Sequence, residues 1–174
     1  MHLRQPQYLF PGDAHFATDN LVLHATAKRH LVKDFTGPLS IKSVINGEVE
    51  WMVDERRILV ATTTFLVLSD GQKYSMDLDA RRPMETCCAF FQRGFVEKVA
   101  QDITNPVEAS LDEPERQAPQ LKFLSRLHSD CRSSVLRRLW SLADRCAEEI
   151  QPSIFEEDFL ILSTQLVSQE RGYR

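Results

Sequence analysis

The apolar residues of this 174-residue chain keep one spacing as far as Phe91 and another beyond it. From Asn20 to Phe91 they recur at every second position, in short runs broken by turn residues, the pattern of successive antiparallel strands. The runs are NLVLHATA, LSIKSVI, EVEWMVD, RRILV, TFLVLS, KYSMDL and ETCCAFF. Gly37-Pro38, Asn46-Gly47 and Gly71 interrupt them, and Asn-Gly suits a two-residue hairpin that needs positive φ. Seven such strands predict a barrel or a sandwich. Alternation sets Val49, Trp51 and Val53 on one face of their strand, and Tyr74, Met76 and Leu78 on one face of another. Trp51 and Tyr74 are therefore expected to face the interior.

Beyond Phe91 the period is 3.6. RGFVEKVAQDI spaces Phe95, Val99 and Ile103 by four and predicts a helix. Residues 105–128 include NPVEASLDEPERQAPQ, with three prolines and four acids, and read as a linker, although KFLSRLH within them fits no single period. A helix is expected from Asp130 to about Ile150, with Val135, Leu139, Leu142, Cys146 and Ile150 on one stripe and Leu136, Trp140, Ala143 and Ala147 beside it. A second, capped at Ser153, carries Phe155, Phe159, Leu162 and Leu166. The expected organisation is a barrel with its exit helix (1–104), a linker (105–128) and a helical region (129–174). The stripes offer more apolar surface than one helical hairpin covers by packing on itself. Val135, Leu139, Leu142, Phe155, Phe159, Leu162 and Leu166 are thus expected to form a homodimer interface, unless both helices fold back on the barrel.

A net charge of −4 gives no overall electrostatic reason to grip nucleic acid or an anionic membrane. The apolar runs fall far short of the roughly 20 residues that cross a bilayer. MHLRQPQYLFPGD lacks the continuous apolar segment of a secretory signal, so the cytoplasm is the expected compartment. Cys87, Cys88, Cys131 and Cys146 have neither CxxC nor Cys/His zinc spacing and read as reduced small hydrophobes. GxSxG, P-loop, GxGxxG and HExxH patterns do not occur.

The order PLSIKSVINGEVEWMVDERRILV, FLVLSDGQKYSMDL, METCCAFFQRGFVEKV, with its glycine-centred hairpin and its FFQRGFV exit from strand to helix, resembles the N-terminal cupin sensing domain of AraC-type transcription regulators. The likeness spans roughly Leu21 to Ala100. It implies a mainly β fold with C-terminal α-helices, a cupin-like double-stranded β-helix barrel followed by a helical hairpin. It further implies a small-molecule effector held in the barrel, a homodimer, and DNA contact only through a helix-turn-helix region that this chain does not contain. Metal-binding cupins place a histidine three residues after the turn glycine of their second motif, where this chain has Tyr74. Counting back from Gly47 puts Ser40 at the family's glutamate position, and Lys33 or Asp34 and Phe35 or Thr36 at its histidine positions. Neither metal nor other cofactor is expected, because divalent ions need imidazole or carboxylate donors converging on one point. A cavity bordered by His24, Trp51, Tyr74 and Met76 would suit a small, partly apolar molecule with a polar handle, unless these residues simply fill the core. Three functions follow: a sensing and dimerisation domain, a stand-alone cupin enzyme acting on a small metabolite, or a dimerisation domain with a filled barrel. The residues favour the first.

Overall fold

The computed structural model describes residues 18–104, 123, 125–129, 134–147 and 153–172, the side chains of 146–147, 153–155 and 171–172 lying outside that description. Its elements are β1 (Leu21–Thr36), β2 (Ser40–Asn46), β3 (Glu48–Val53), β4 (Arg56–Ala61), β5 (Thr64–Leu68), β6 (Lys73–Phe90), α1 (Phe95–Thr104), β7 (Arg126–Ser129), α2 (Val135–Ala147) and α3 (Ser153–Gly172). The strands pair antiparallel in one sheet of order β4-β3-β6-β2-β5-β7, with β1 also on β6. The result is a nearly closed, cupin-like barrel followed by helices, as the alternation and the resemblance lead one to expect.

β6 is the backbone of the barrel. KYSMDL and ETCCAFF, two strands by sequence pattern, are its two halves: β3 pairs with the first (Trp51↔Met76) and β2 with the second (Lys42↔Cys88). β1 follows β6 throughout, from Leu21↔Phe90 to Thr36↔Lys73. Its register jumps where Ala27↔Met84 gives way to Arg29↔Asp79, so residues 80–83 stand against Lys28 alone in a bulge. Pro83 falls within that bulge, where its missing N–H costs no ladder bond. A second shift lies between Val32 and Phe35, where Asp34 takes a φ of 50°. The FFQRGFV exit turns at Gly94, with a φ of 82°, a region open to glycine.

The sheet has two apolar faces. Val44, Val49, Trp51, Val53, Val60, Leu66, Leu68, Tyr74, Met76 and Leu78 fill the barrel side. Ile41, Phe65, Val67, Cys87, Ala89 and Phe91 face the helices and share one core with Val96, Val135, Leu139, Leu142, Phe159, Leu162 and Leu166. The residues expected at a dimer interface lie in this core. Val135, Leu139, Leu142, Phe159, Leu162 and Leu166 are buried against the chain's own sheet and against one another, none more than 1% exposed; the side chain of Phe155 lies outside the described residues. The Phe91 and Phe159 rings meet edge to face at 5.2 Å, and the Cys87 thiol donates to the Leu139 carbonyl at 3.2 Å. The surplus apolar area that argued for a partner subunit is absent from these residues, because the sheet's second face covers it.

Polar clasps complete the packing. Buried Asp158 on α3 accepts hydrogen bonds from Arg138, at 2.6 Å, and from Arg145, both on α2. Arg126 of β7 donates to Glu170 of α3 at 2.9 Å. β7 overlaps the end of the span expected to be linker and pairs with β5 through Phe65↔His128 and Val67↔Arg126.

Candidate ligand-binding site

A cavity of about 90 Å³ opens inside the barrel between β1, β2, β3 and β6. Its walls are mostly apolar, with Leu23, Val32, Trp51, Met76, Leu78, Met84 and Phe90 among them. The four residues expected at the site all border it. Trp51, Tyr74 and Met76 reach it from alternating positions that the strands carry inward, and Trp51 is only 2% exposed. His24 borders it too, but its Nε2 is already engaged with Glu85 Oε1 at 2.8 Å. His30, also in the wall, has a pKa pushed down by burial.

Lys42 is the residue the sequence pattern passes over. It sits in the middle of β2, is 1% exposed, and lies on the face shared by Ser40 and Val44, so its side chain enters the cavity. Nζ donates to the Tyr74 hydroxyl at 3.0 Å, lies 3.7 Å from the centroid of the Phe90 ring and 4.5 Å from that of Tyr74. These are cation–π distances. No carboxylate pairs with Lys42 among the described residues. Burial lowers its pKa from 10.5 to about 8, against an opposing pull from the Cys88 sulfur. Burial likewise raises the Tyr74 and Cys88 pKa values, keeping both groups protonated at neutral pH. The sequence hides it: Ser40 and Lys42 share one face of their strand, opposite Ile41 and Ile45, and two polar residues on one face read as solvent-facing.

A cupin fold raises the question of a metal. The side chains here do not suit one. Lys42 presents an ammonium to the cavity, Tyr74 is bonded to it, Ser40 carries only a hydroxyl, and the His24 ring is turned to Glu85. Among the described residues no three His, Cys, Asp or Glu side chains gather in one place.

Neither a family model nor a curated protein sequence matches the chain. Its fold does match solved structures. ToxT from Vibrio cholerae strain SCE256, the apo K231A form, superposes with a TM-score of 0.61 over 90% of this chain and 57% of that one, at 16% identity. The chain shares the fold of ToxT. ToxT from V. cholerae O395, bound to (E)-4-(8-methylnaphthalen-1-yl)but-3-enoic acid, superposes at 0.53 over 87% of this chain and 58% of that one, at 8% identity. A cupin 2 conserved barrel domain protein from Salinispora arenicola gives 0.40 over 54% of this chain and 78% of that one, at 11% identity. ToxT is an AraC-family regulator. The chain spans a little over half the length of the ToxT structures.

Proposed function

We propose that the chain is the small-molecule-sensing region of an AraC-type transcription regulator, and that its effector is an apolar molecule ending in a carboxylate. The observation that carries the second part is Lys42: a buried ammonium with no counter-ion among the described residues, set in the wall of an apolar cavity. An isolated buried charge is costly, and a ligand carboxylate would relieve that cost by charge pairing, with the Tyr74 hydroxyl as a second donor. The apolar walls would hold the ligand's hydrocarbon part. The shared fold with ToxT supports the sensing role, and the acid bound in one ToxT structure is of the same chemical class.

At about 90 Å³ the cavity is small beside the roughly 300 Å³ of an ordinary ligand site. Binding therefore has to widen it, and Met76 and Met84, unbranched and adaptable, are the walls that can give. A ligand that prefers the widened barrel shifts the population towards it, which is the physical content of sensing. DNA contact would belong to sequence outside this chain. Among the described residues no helix is long and apolar enough to cross a membrane.

The test is a thermal-shift comparison of octanoic acid, its methyl ester and octanol. A ligand that binds the native state raises the melting temperature by mass action. The acid is expected to raise it well above the neutral analogues, and Lys42→Met to abolish the difference. Equal shifts from all three would show that the ammonium plays no part in recognition.

A further inference from the structure

The same arrangement supports chemistry that holding an anion does not use. Lys42 Nζ lies among Phe90, Tyr74 and Cys88, and among the described residues its one polar partner is the Tyr74 hydroxyl. An amine desolvated in an apolar pocket is held partly in its neutral form, and the neutral form is a nucleophile. Ammonium and amine thus suit two related ligands: a carboxylate meets the first, a carbonyl carbon the second.

We propose that the cavity also takes apolar aldehydes and that Lys42 holds them covalently as an imine. The inference rests on the cavity being the ligand site. The Nζ lone pair attacks the carbonyl carbon and gives a carbinolamine. The C–O bond then breaks as C=N forms, and the carbonyl oxygen leaves as water with the two hydrogens that Nζ carried. No electrons are transferred and no co-reactant is required. The step is reversible, as a sensor needs. The ionisable groups facing Nζ are Tyr74 and Cys88 from β6, with His24 and His30 of β1 in the same cavity wall. Tyr74 and Cys88 stay protonated at neutral pH, so the Tyr74 hydroxyl can donate to the carbonyl oxygen as negative charge develops on it.

Octanal added to the full chain with cyanoborohydride, followed by peptide mapping, reads the imine as a stable octyl-lysine. The expected result is modification of Lys42 ahead of the surface lysines, blocked by octanoic acid. The trapping rate should rise on the order of tenfold between pH 6.5 and 8 and level off above that, whereas surface lysines keep climbing towards their ordinary pKa. Lys42→Arg keeps the positive charge and should lose the adduct. If that variant fails to fold, protection of the wild type by octanoic acid decides the matter instead. Octyl groups spread over surface lysines with Lys42 unmodified would overturn the imine, while a melting shift with octanoic acid would leave the carboxylate reading standing. Failure of both octanal and octanoic acid to bind would remove both.

Discussion

Lys42 shows what one residue can cost a fold. Its pKa falls from 10.5 to about 8, which corresponds to about 3 kcal/mol of unfavourable burial. Between pH 8 and pH 10.5 the unfolded chain keeps a proton that the folded chain has released. Stability therefore rises with pH across that window and stays at its lower level below pH 8. Lys42→Met should raise the melting temperature at pH 7 and remove this slope, checked by thermal unfolding at several pH values; an unchanged or lower melting temperature would mean that the ammonium is not an uncompensated charge. His128 acts at the opposite end of the scale. It is 7% exposed, stacks on Phe65 at 5.0 Å, and its Nε2 has no hydrogen-bond partner among the described residues. Burial first, and then Arg126, lower its pKa from 6.5 to about 4. Here the unfolded chain binds the extra proton between pH 6.5 and 4, so the fold should lose about 3 kcal/mol as the pH falls through that window. His128→Phe should flatten the loss in denaturant titrations.

Among the elements, α2 decides between a core and an interface. Leu139 and Leu142 are fully buried, with Cys87 donating to the carbonyl of Leu139. Leu139→Ala should cost about 2–5 kcal/mol, the range for a large side chain lost from a packed core. The Leu139→Glu, Leu162→Glu pair should abolish folding, seen as loss of the circular dichroism signal. A folded double variant of lower mass by light scattering would instead restore the dimer interface that the apolar stripes suggest. Asp158 joins α2 to α3 through two arginines, 30% and 23% exposed at their side chains. Asp158→Asn should cost about 1–3 kcal/mol, discounted from a fully buried pair because both guanidinium groups reach solvent.

Across the whole molecule, one layer of strand separates the cavity from the helices. Lys42 and Cys88, directly opposite in register, face the cavity, and their neighbours Ser43 and Cys87 face the helix side of the same two strands. The Ser43 hydroxyl donates to the Cys87 carbonyl at 2.6 Å, tying the wall together. Widening the cavity displaces this wall, and the close-packed helices behind it have to follow. Hydrogen exchange with and without octanoic acid should therefore show changes in α2 along with β2 and β6. Changes confined to β1, β3 and the cavity-facing part of β6 would deny the helices a share in the signal.

The residue pattern alone determined the two halves of the chain, the inward faces of Trp51, Tyr74 and Met76, and the helical character of 95–104, 135–147 and 153–172. These are local properties: strand parity and helical periodicity depend only on neighbours in the chain. The tertiary structure decided the rest. β1 runs to Thr36 although its alternation breaks at Ala27 and again near Asp34, because β6 carries the complementary bulge and keeps the ladder in register. An apolar stripe states that a helix face must be covered and leaves open by what; the second face of the sheet supplied the cover, from residues more than 40 positions away. Lys42 is the sharpest case. Its place in a strand was visible, but its burial, its pairing with Tyr74, the Phe90 ring beside it and the want of a carboxylate among the described residues are long-range facts. They arise only when β6 closes over β2, and they turn a buried lysine into a candidate binding group.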